Sequence, residues 1–279
     1  MESTASNLVQ RFSIRRIHDV ESERVMDTVA TEEPLGIRII YSFKGARFSD
    51  SLALTMRTPG NDRELAAGFL LSEGVIRQRR DLLDVRPLGA EPSNEIVAEL
   101  ADDVDVENWR VSRASFINSS CGICGKRTRE AAFQEIARPS GGEEARIDQR
   151  LVERLPALLL ENQRGFEQTG GLHAAACVTR EGLMEAAFED IGRHNALDKL
   201  IGWSLLQDKI PLENRILFLS SRSSFELIQK AAMAGASILA TVGGPSSLAI
   251  ETARQWGMTL IGFVRDGRFN IYSGEWRIH

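Results

Sequence analysis

Only three cysteines occur in 279 residues, too few for the disulfide framework of a secreted scaffold and unnecessary in a chain long enough to bury a sizeable core. Histidine is equally sparse. The four present, His18, His173, His194 and His279, show no H-x3-5-H spacing, and there is no second C-x-x-C, so a structural zinc site lacks its ligand set. No stretch approaches the run of about 18 to 20 apolar residues that a membrane span requires, and the N-terminus lacks the basic flank and apolar centre of a signal peptide. A cytoplasmic protein is expected, with no membrane partner. Charge is not lopsided either: 34 basic and 39 acidic residues leave a net charge of -5, which excludes the strongly basic footprint of a nucleic-acid binder. An anionic ligand would therefore need a local site. Neither G-x-x-x-x-G-K-[ST] nor G-x-G-x-x-G occurs, so a P-loop or Rossmann dinucleotide site is not indicated. Internal repeats and low-complexity segments are absent as well.

What is present is a soluble globular composition, 43% hydrophobic and 26% charged. Up to about Glu33 the chain reads as an arm plus a first strand. From Ile37, I-R-I-I-Y-S-F-K-G-A-R-F-S-D-S-L-A-L-T-M alternates on both sides of Lys44-Gly45 and predicts a hairpin. A helix should follow, capped by Asn61 or Asp62, with Leu65, Phe69 and Leu70 on one face and Gly74 at its stop. Strands are expected at N-E-I-V-A-E-L and at D-V-D-V-E, where acidic residues alternating with Val104 and Val106 read as a solvated face. Helical spacing covers about 127–137 and 148–163, separated by the polar connector P-S-G-G-E-E. The chain thus divides near residues 139–146, into an N-terminal α+β region over 1–140 and an α/β domain over 141–279. In the second part strands and helices alternate regularly, which predicts a largely parallel sheet with helices on its faces.

Three segments carry candidate chemistry. In N-S-S-C-G-I-C-G-K, Cys121 and Cys124 are flanked by Gly122 and Gly125 and followed by Lys126, Arg127 and Arg129. The glycines make a packed core position improbable, and the cations, with a helix start near residue 127, would favour thiolate. A thioredoxin-type pair would sit between a strand and a helix early in a βαβ unit, which this pair does not. Two readings remain: an inert loop pair, or a thiol that accepts a group and passes it on, for which a mobile loop is suited. The junctions L-S-S-R-S-S-F-E and T-V-G-G-P-S-S place small residues where strands give way to helices, positions that serve either as ordinary caps or as anion sites. Ser220 and Arg222 are the candidates there. Finally, E-D-I-G-R-H-N-A-L-D-K-L gathers Asp190, Arg193, His194, Asn195, Asp198 and Lys199 at a helix start, whereas Cys177, in an apolar strand, reads as buried and inert.

Taken together, E-L-A-A-G-F-L-L-S-E-G-V-I, S-S-C-G-I-C-G, T-G-G-L-H-A-A-A, E-D-I-G-R-H-N-A-L-D-K-L, S-S-R-S-S-F-E-L-I-Q-K-A-A-M-A-G and G-F-V-R-D-G-R-F-N-I-Y, in order over about 37–272, resemble the formate dehydrogenase accessory protein family of FdhD sulfur carriers. The resemblance implies a sulfurtransferase that takes persulfide sulfur from a cysteine desulfurase and delivers it to the molybdenum or tungsten bis(molybdopterin guanine dinucleotide) cofactor needed by the formate dehydrogenase catalytic subunit. It implies Cys121 as the carrier and Cys124 as the second thiol. It also implies a cofactor-binding segment at Phe263, Val264, Arg265, Asp266, Gly267 and Arg268, in which the two arginines suit a diphosphate. A guanine nucleotide would then mimic half of the cofactor. A homodimer follows from the same resemblance, as does a cytidine-deaminase-like three-layer α/β/α domain beside a smaller N-terminal α+β domain. The deaminase zinc signature itself is missing, because Ser120 precedes Cys121 and Ala174-Ala175 follow His173. The competing function is a non-catalytic chaperone that holds the cofactor and docks on the apo-dehydrogenase.

Overall fold

The computed structural model describes residues 8–19, 21–90, 92–107, 109 and 146–279. Cys121, Cys124 and the helix expected over 127–137 lie outside the described residues, as does the boundary expected at 140.

Within the described residues, a hairpin stands where one strand was expected. β1 (Val9–His18) and β2 (Glu21–Ala30) pair antiparallel over their whole length. Neither has a buried face, and apolar and charged residues fall on both sides, so the period-two signal that marks a half-buried strand is weak there. β3 (Glu33–Phe43) and β4 (Ala46–Arg57) form the expected hairpin, with Lys44 and Gly45 both at positive φ (50° and 78°), the geometry of a two-residue turn matched to strand twist. β5 (Leu82–Pro87) and β6 (Glu95–Leu100) complete a sheet of order β4-β3-β6-β5. The strand expected at D-V-D-V-E is not one. Residues 102–103 form a turn and helix begins at Val106, because Val106 is drawn into the core while Ala101 O takes the amide of Val104. Alternation there reflects one buried valine at the mouth of a helix.

α1 (Asp62–Ser72) starts at Asn61 and ends before Gly74, which has a φ of 73°. Leu65 and Leu70 are buried, but so are Ala66, Ala67, Gly68, Leu71 and Ser72. A helix buried nearly all round must lie between two layers. Its second neighbour is α4 (Arg193–Leu206), and the two approach so closely that a Cβ on Gly68 would fall on Asp198 O and one on Gly202 on Glu64 O.

Beyond these lies a six-stranded sheet of order β12-β11-β10-β9-β7-β8, built from β7 (His173–Thr179), β8 (Met184–Asp190), β9 (Arg215–Leu219), β10 (Ile238–Thr241), β11 (Thr259–Arg265) and β12 (Arg268–Ser273). It is mixed, not largely parallel. Only β9-β10 and β10-β11 run parallel, while β7 opposes both its neighbours and β12 opposes β11. Strand direction leaves no trace in hydrophobic period, so alternation of elements misled on this point. Side chains divide by parity: Ala175, Cys177, Leu217, Leu219 and Leu239 face α4, α5 (Phe225–Met233) and α6 (Ser247–Gln255), and Ala174, Ala176, Ile216, Phe218 and Ile238 face α2 (Gln149–Leu160). A short α3 (Arg164–Thr169) links α2 to β7. The first cluster also contains Leu35, Ile37, Leu65 and Ile96, so both parts of the chain share one core.

Candidate functional site

Because β7 runs against β9, its first residue, His173, lies on the same edge of the sheet as the carboxyl ends of β8, β9, β10 and β11. In α/β sheets this edge collects ligands, since helices begin there with free N–H groups and their positive dipole ends. Here it brings together His173, Asp190, Ser220 to Ser224, Gly243, Gly244 and Phe263.

The loops are stitched by backbone bonds. Gly243 N donates to Ser221 O (3.1 Å), Phe263 N to Gly243 O (3.1 Å) and Ser246 N to Ser223 O (3.0 Å). Ser220 is engaged by the fold, because its hydroxyl accepts the amide of Ala174 at 2.8 Å. It locks the start of β7 to the end of β9 and so fixes His173. Arg222 is exposed beside Gly243, whose missing side chain lets the two loops touch.

The starts of α4 and α5 converge on the same edge. His194 Nε2 lies 3.1 Å from Glu226 Oε2, within ion-pair reach but without hydrogen-bond geometry. Among the described residues, the Nε of Arg193 and the hydroxyls of Ser223 and Ser224 are buried and without a hydrogen-bond partner, and the buried Nε2 of His194 has only the Glu226 contact. Unsatisfied buried polar groups are costly, about 1 to 3 kcal/mol each, and call for an explanation. A ligand with several acceptor oxygens supplies one. The pKa of His173 is lowered, first by burial and then by the nearby Arg193 and His194 charges, against the pull of Asp190. Its surroundings therefore favour the neutral ring.

At the far side, the β11-β12 ladder slips between Gly262 and Arg265 and Phe263 takes a φ of 55°, a bulge that re-aims its ring. The ring lies over Gly244, where an added Cβ would meet it at 2.6 Å, and the Arg265 guanidinium sits 5.7 Å from its centroid. Phe263 remains 37% exposed, an aromatic face held ready over a glycine floor. Asp266 and Gly267, with φ of 53° and 68°, form the tight turn between Arg265 and Arg268, which pair across it. Val264 points the other way, fully buried against the α2 face.

Of the expected residues, the fold thus groups Ser220, Arg222, His194, Phe263 and Arg265 along one edge, with Asp266, Gly267 and Arg268 at the adjoining hairpin tip. Sequence reasoning placed Arg193 in a candidate helix start and Ser223, Ser224 and Glu226 in a candidate junction, but singled out only His194, Ser220 and Arg222 from those two segments. The signal of the others is visible only once two helix starts meet. Among the described residues no group of three or more His, Cys, Asp or Glu is placed to hold a metal ion, and no helix is long and apolar enough to cross a membrane.

Comparison with known proteins follows the same lines. Residues 31–279 match the FdhD/NarQ family. The chain is 41% identical over 276 residues to the sulfur carrier protein FdhD of Mycobacterium tuberculosis, covering 95% of this chain and 97% of that one. It is 40% identical over 278 residues to the FdhD of Streptomyces coelicolor (97% and 96% covered) and 38% identical over 271 residues to that of Saccharolobus solfataricus (97% and 98%). A crystal structure described as a formate dehydrogenase accessory protein, from Desulfotalea psychrophila, superposes with a TM-score of 0.76 at 21% identity, covering 98% of this chain and all of that one.

Proposed function

Because this chain belongs to the FdhD/NarQ family, we propose that it carries sulfur as a persulfide on Cys121, from a cysteine desulfurase to the molybdenum or tungsten bis(molybdopterin guanine dinucleotide) cofactor of a formate dehydrogenase. The names of its relatives, sulfur carrier proteins, support the general role. The carboxyl edge of the six-stranded sheet supports the cofactor as the acceptor. There, the buried donors of Arg193, Ser223 and Ser224, unpartnered among the described residues, suit phosphoryl oxygens, and the exposed face of Phe263 suits a base. That cluster of unmet donors is the single observation on which the acceptor rests. The reversed β7 within a sheet of order β8-β7-β9-β10-β11-β12, covered by helices on both faces, likewise supports a cytidine-deaminase-like three-layer domain.

Loading is an exchange in which no net electrons are gained or lost. The Cys121 thiolate attacks the outer sulfur of the donor persulfide, a new S–S bond forms, and the donor cysteine leaves as thiolate. Delivery breaks that bond. The Cys124 thiolate attacks the inner sulfur, leaving a Cys121–Cys124 disulfide and releasing sulfide, which is at the oxidation level of a metal ligand; direct transfer, with Cys121 leaving as thiolate, would pass on zero-valent sulfur and would require the acceptor to supply two electrons.

Loading with a cysteine desulfurase and cysteine, followed by intact-mass measurement, should add about 32 Da to the wild type and nothing to Cys121→Ala. Absence of the adduct from the wild type would instead favour a cofactor chaperone without sulfur chemistry. On the acceptor side, guanosine diphosphate should raise the melting temperature by binding only the folded state. If Arg268→Ala keeps the whole of that stabilisation, the diphosphate does not lie at the β11-β12 turn.

A further inference from the structure

Arg193 and His194 occupy the first turn of α4, yet the N-cap position is Gly192, which offers no side chain to fix the turn. The carboxylate of Asp190 does this work from two residues upstream. Its Oδ1 accepts from Gly192 N (2.8 Å) and from Asn195 Nδ2 (3.2 Å). Its Oδ2 accepts from Thr58 N (3.2 Å) and forms an ion pair with Lys199 Nζ at 2.8 Å. Both members of the pair are buried, at 0% and 1% exposure. Every acceptor direction of the carboxylate is in use, and Lys199 donates onward to Thr58 O (2.9 Å) and Glu189 O (3.2 Å).

The partners on the other side all belong to the end of β4. Asn195 Nδ2 also reaches Met56 O at 2.7 Å, Thr55 Oγ1 donates to Asn195 Oδ1 at 3.2 Å, and Ile191 N donates to Thr58 Oγ1 at 3.1 Å. The segment Ile191-Gly192-Arg193-His194 is therefore held between the strand end at Thr55 to Thr58 and its own helix. His173 joins the same unit, since it is the register partner of Asp190 across β7-β8.

We infer that Asp190 and Lys199 are the positioning pair that sets Arg193 and His194 on the carboxyl edge of the sheet and ties that edge to the end of β4. The inference adds to the proposed function the residues that orient its anion site, and only its binding readout rests on that reading. An ion pair serving the fold alone would move stability and leave the geometry of the edge unchanged. Carboxylate to carboxamide replacement separates the cases. In Asp190→Asn the amide turns a donor toward one of two existing pairs of donors, so either the Gly192 turn or the Thr58 contact must give way.

The test measures Asp190→Asn and Thr58→Val at a temperature where circular dichroism shows each fully folded. The ring resonances of the four histidines are read by 15N correlation spectroscopy, and the affinity for guanosine diphosphate by calorimetry. Positioning predicts a shifted His194 ring with His18 and His279 unmoved; His173 feels the Asp190 charge directly and is read only in Thr58→Val. Positioning also predicts nucleotide binding weaker by roughly tenfold in Asp190→Asn, the factor that accompanies one lost hydrogen bond to a charged group, and by less in Thr58→Val. Wild-type ring shifts and affinity beside a lowered melting temperature would overturn it. Should Asp190→Asn fail to fold, Asn195→Ala, which withdraws one of the two donors from Asp190 Oδ1, is read in its place with the same outcomes. If the wild type binds no guanine nucleotide, the ligand reading fails, and the histidine rings still decide the positioning role.

Discussion

Cys177 and Glu185 show how burial and charge set reactivity one residue at a time. Cys177 is fully buried on the α4 face of β7, and burial first, then the adjacent Glu185 carboxylate, push its thiol up to about 12. Since thiolate is the reactive form, native protein treated with iodoacetamide at pH 8 should leave Cys177 unmodified, and peptide mapping after unfolding should find it labelled. Glu185 is the converse. Hydrogen bonding from Arg215, then from Lys209, holds its carboxyl down at about 2 against an ordinary 4.5, despite opposing desolvation. A depressed carboxyl stabilises the fold fully above its unfolded value and loses that contribution as the pH falls. Glu185→Gln should therefore be less stable than wild type at pH 7, with the gap closing between about pH 4.5 and pH 2. A constant gap in urea midpoints across that range would rule out the pairing as its cause.

Elements are where sequence was most and least informative. The β3-β4 hairpin was legible because Lys44-Gly45 supplies the two positive-φ positions its turn demands, and the alternation on either side fixes its register. The helices and central strands of the second half were legible for the same local reasons. Three features were not. β1 and β2 bury too little to alternate, β7 runs backwards without altering its own pattern, and the unmet donors of Arg193, Ser223 and Ser224 depend on which helix starts the sheet order places together. The crossing of α1 and α4 lies between these cases. Gly68 reads as a mild weakness in a helix, and only the structure shows that it and Gly202 admit the opposing backbone. Gly68→Ala should therefore destabilise by about 3 kcal/mol, the upper range for overpacking, although alanine is the better helix former. A chemical denaturation curve no worse than wild type would show that the helices can separate at little cost.

At the scale of the molecule, one cluster of buried side chains runs from Leu35, Ile37 and Ile96 through Leu65 and Leu70 to Leu197, Ala175 and Leu217. Unfolding either side alone would expose the apolar faces of α1 and α4 together. The buried Lys230 reinforces the same seam, since its ammonium contacts Ser72 Oγ (3.1 Å) on α1 and both oxygens of Asp198 (3.0 and 2.9 Å) on α4. Burial opposes its charge, but the Asp198 and Glu73 carboxylates outweigh that and raise its pKa. Such a molecule should lose β3, α1, α4 and β9 in one cooperative step. Among the described residues the β1-β2 hairpin touches the rest where β2 meets α3 but contributes nothing to either buried cluster, and Phe12, Ile17 and Met26 are 49%, 67% and 62% exposed. An isolated two-stranded ribbon is marginal in water and opens locally. Hydrogen exchange followed by mass spectrometry should accordingly find peptides from 9–30 exchanging orders of magnitude faster than those from 33–43, at protein concentrations low enough to suppress self-association. Peptides from 33–43 and 193–206 should exchange together as denaturant is added. Separate denaturant dependences for those two segments would mean that the chain unfolds in two units and that the shared core does not bind them into one.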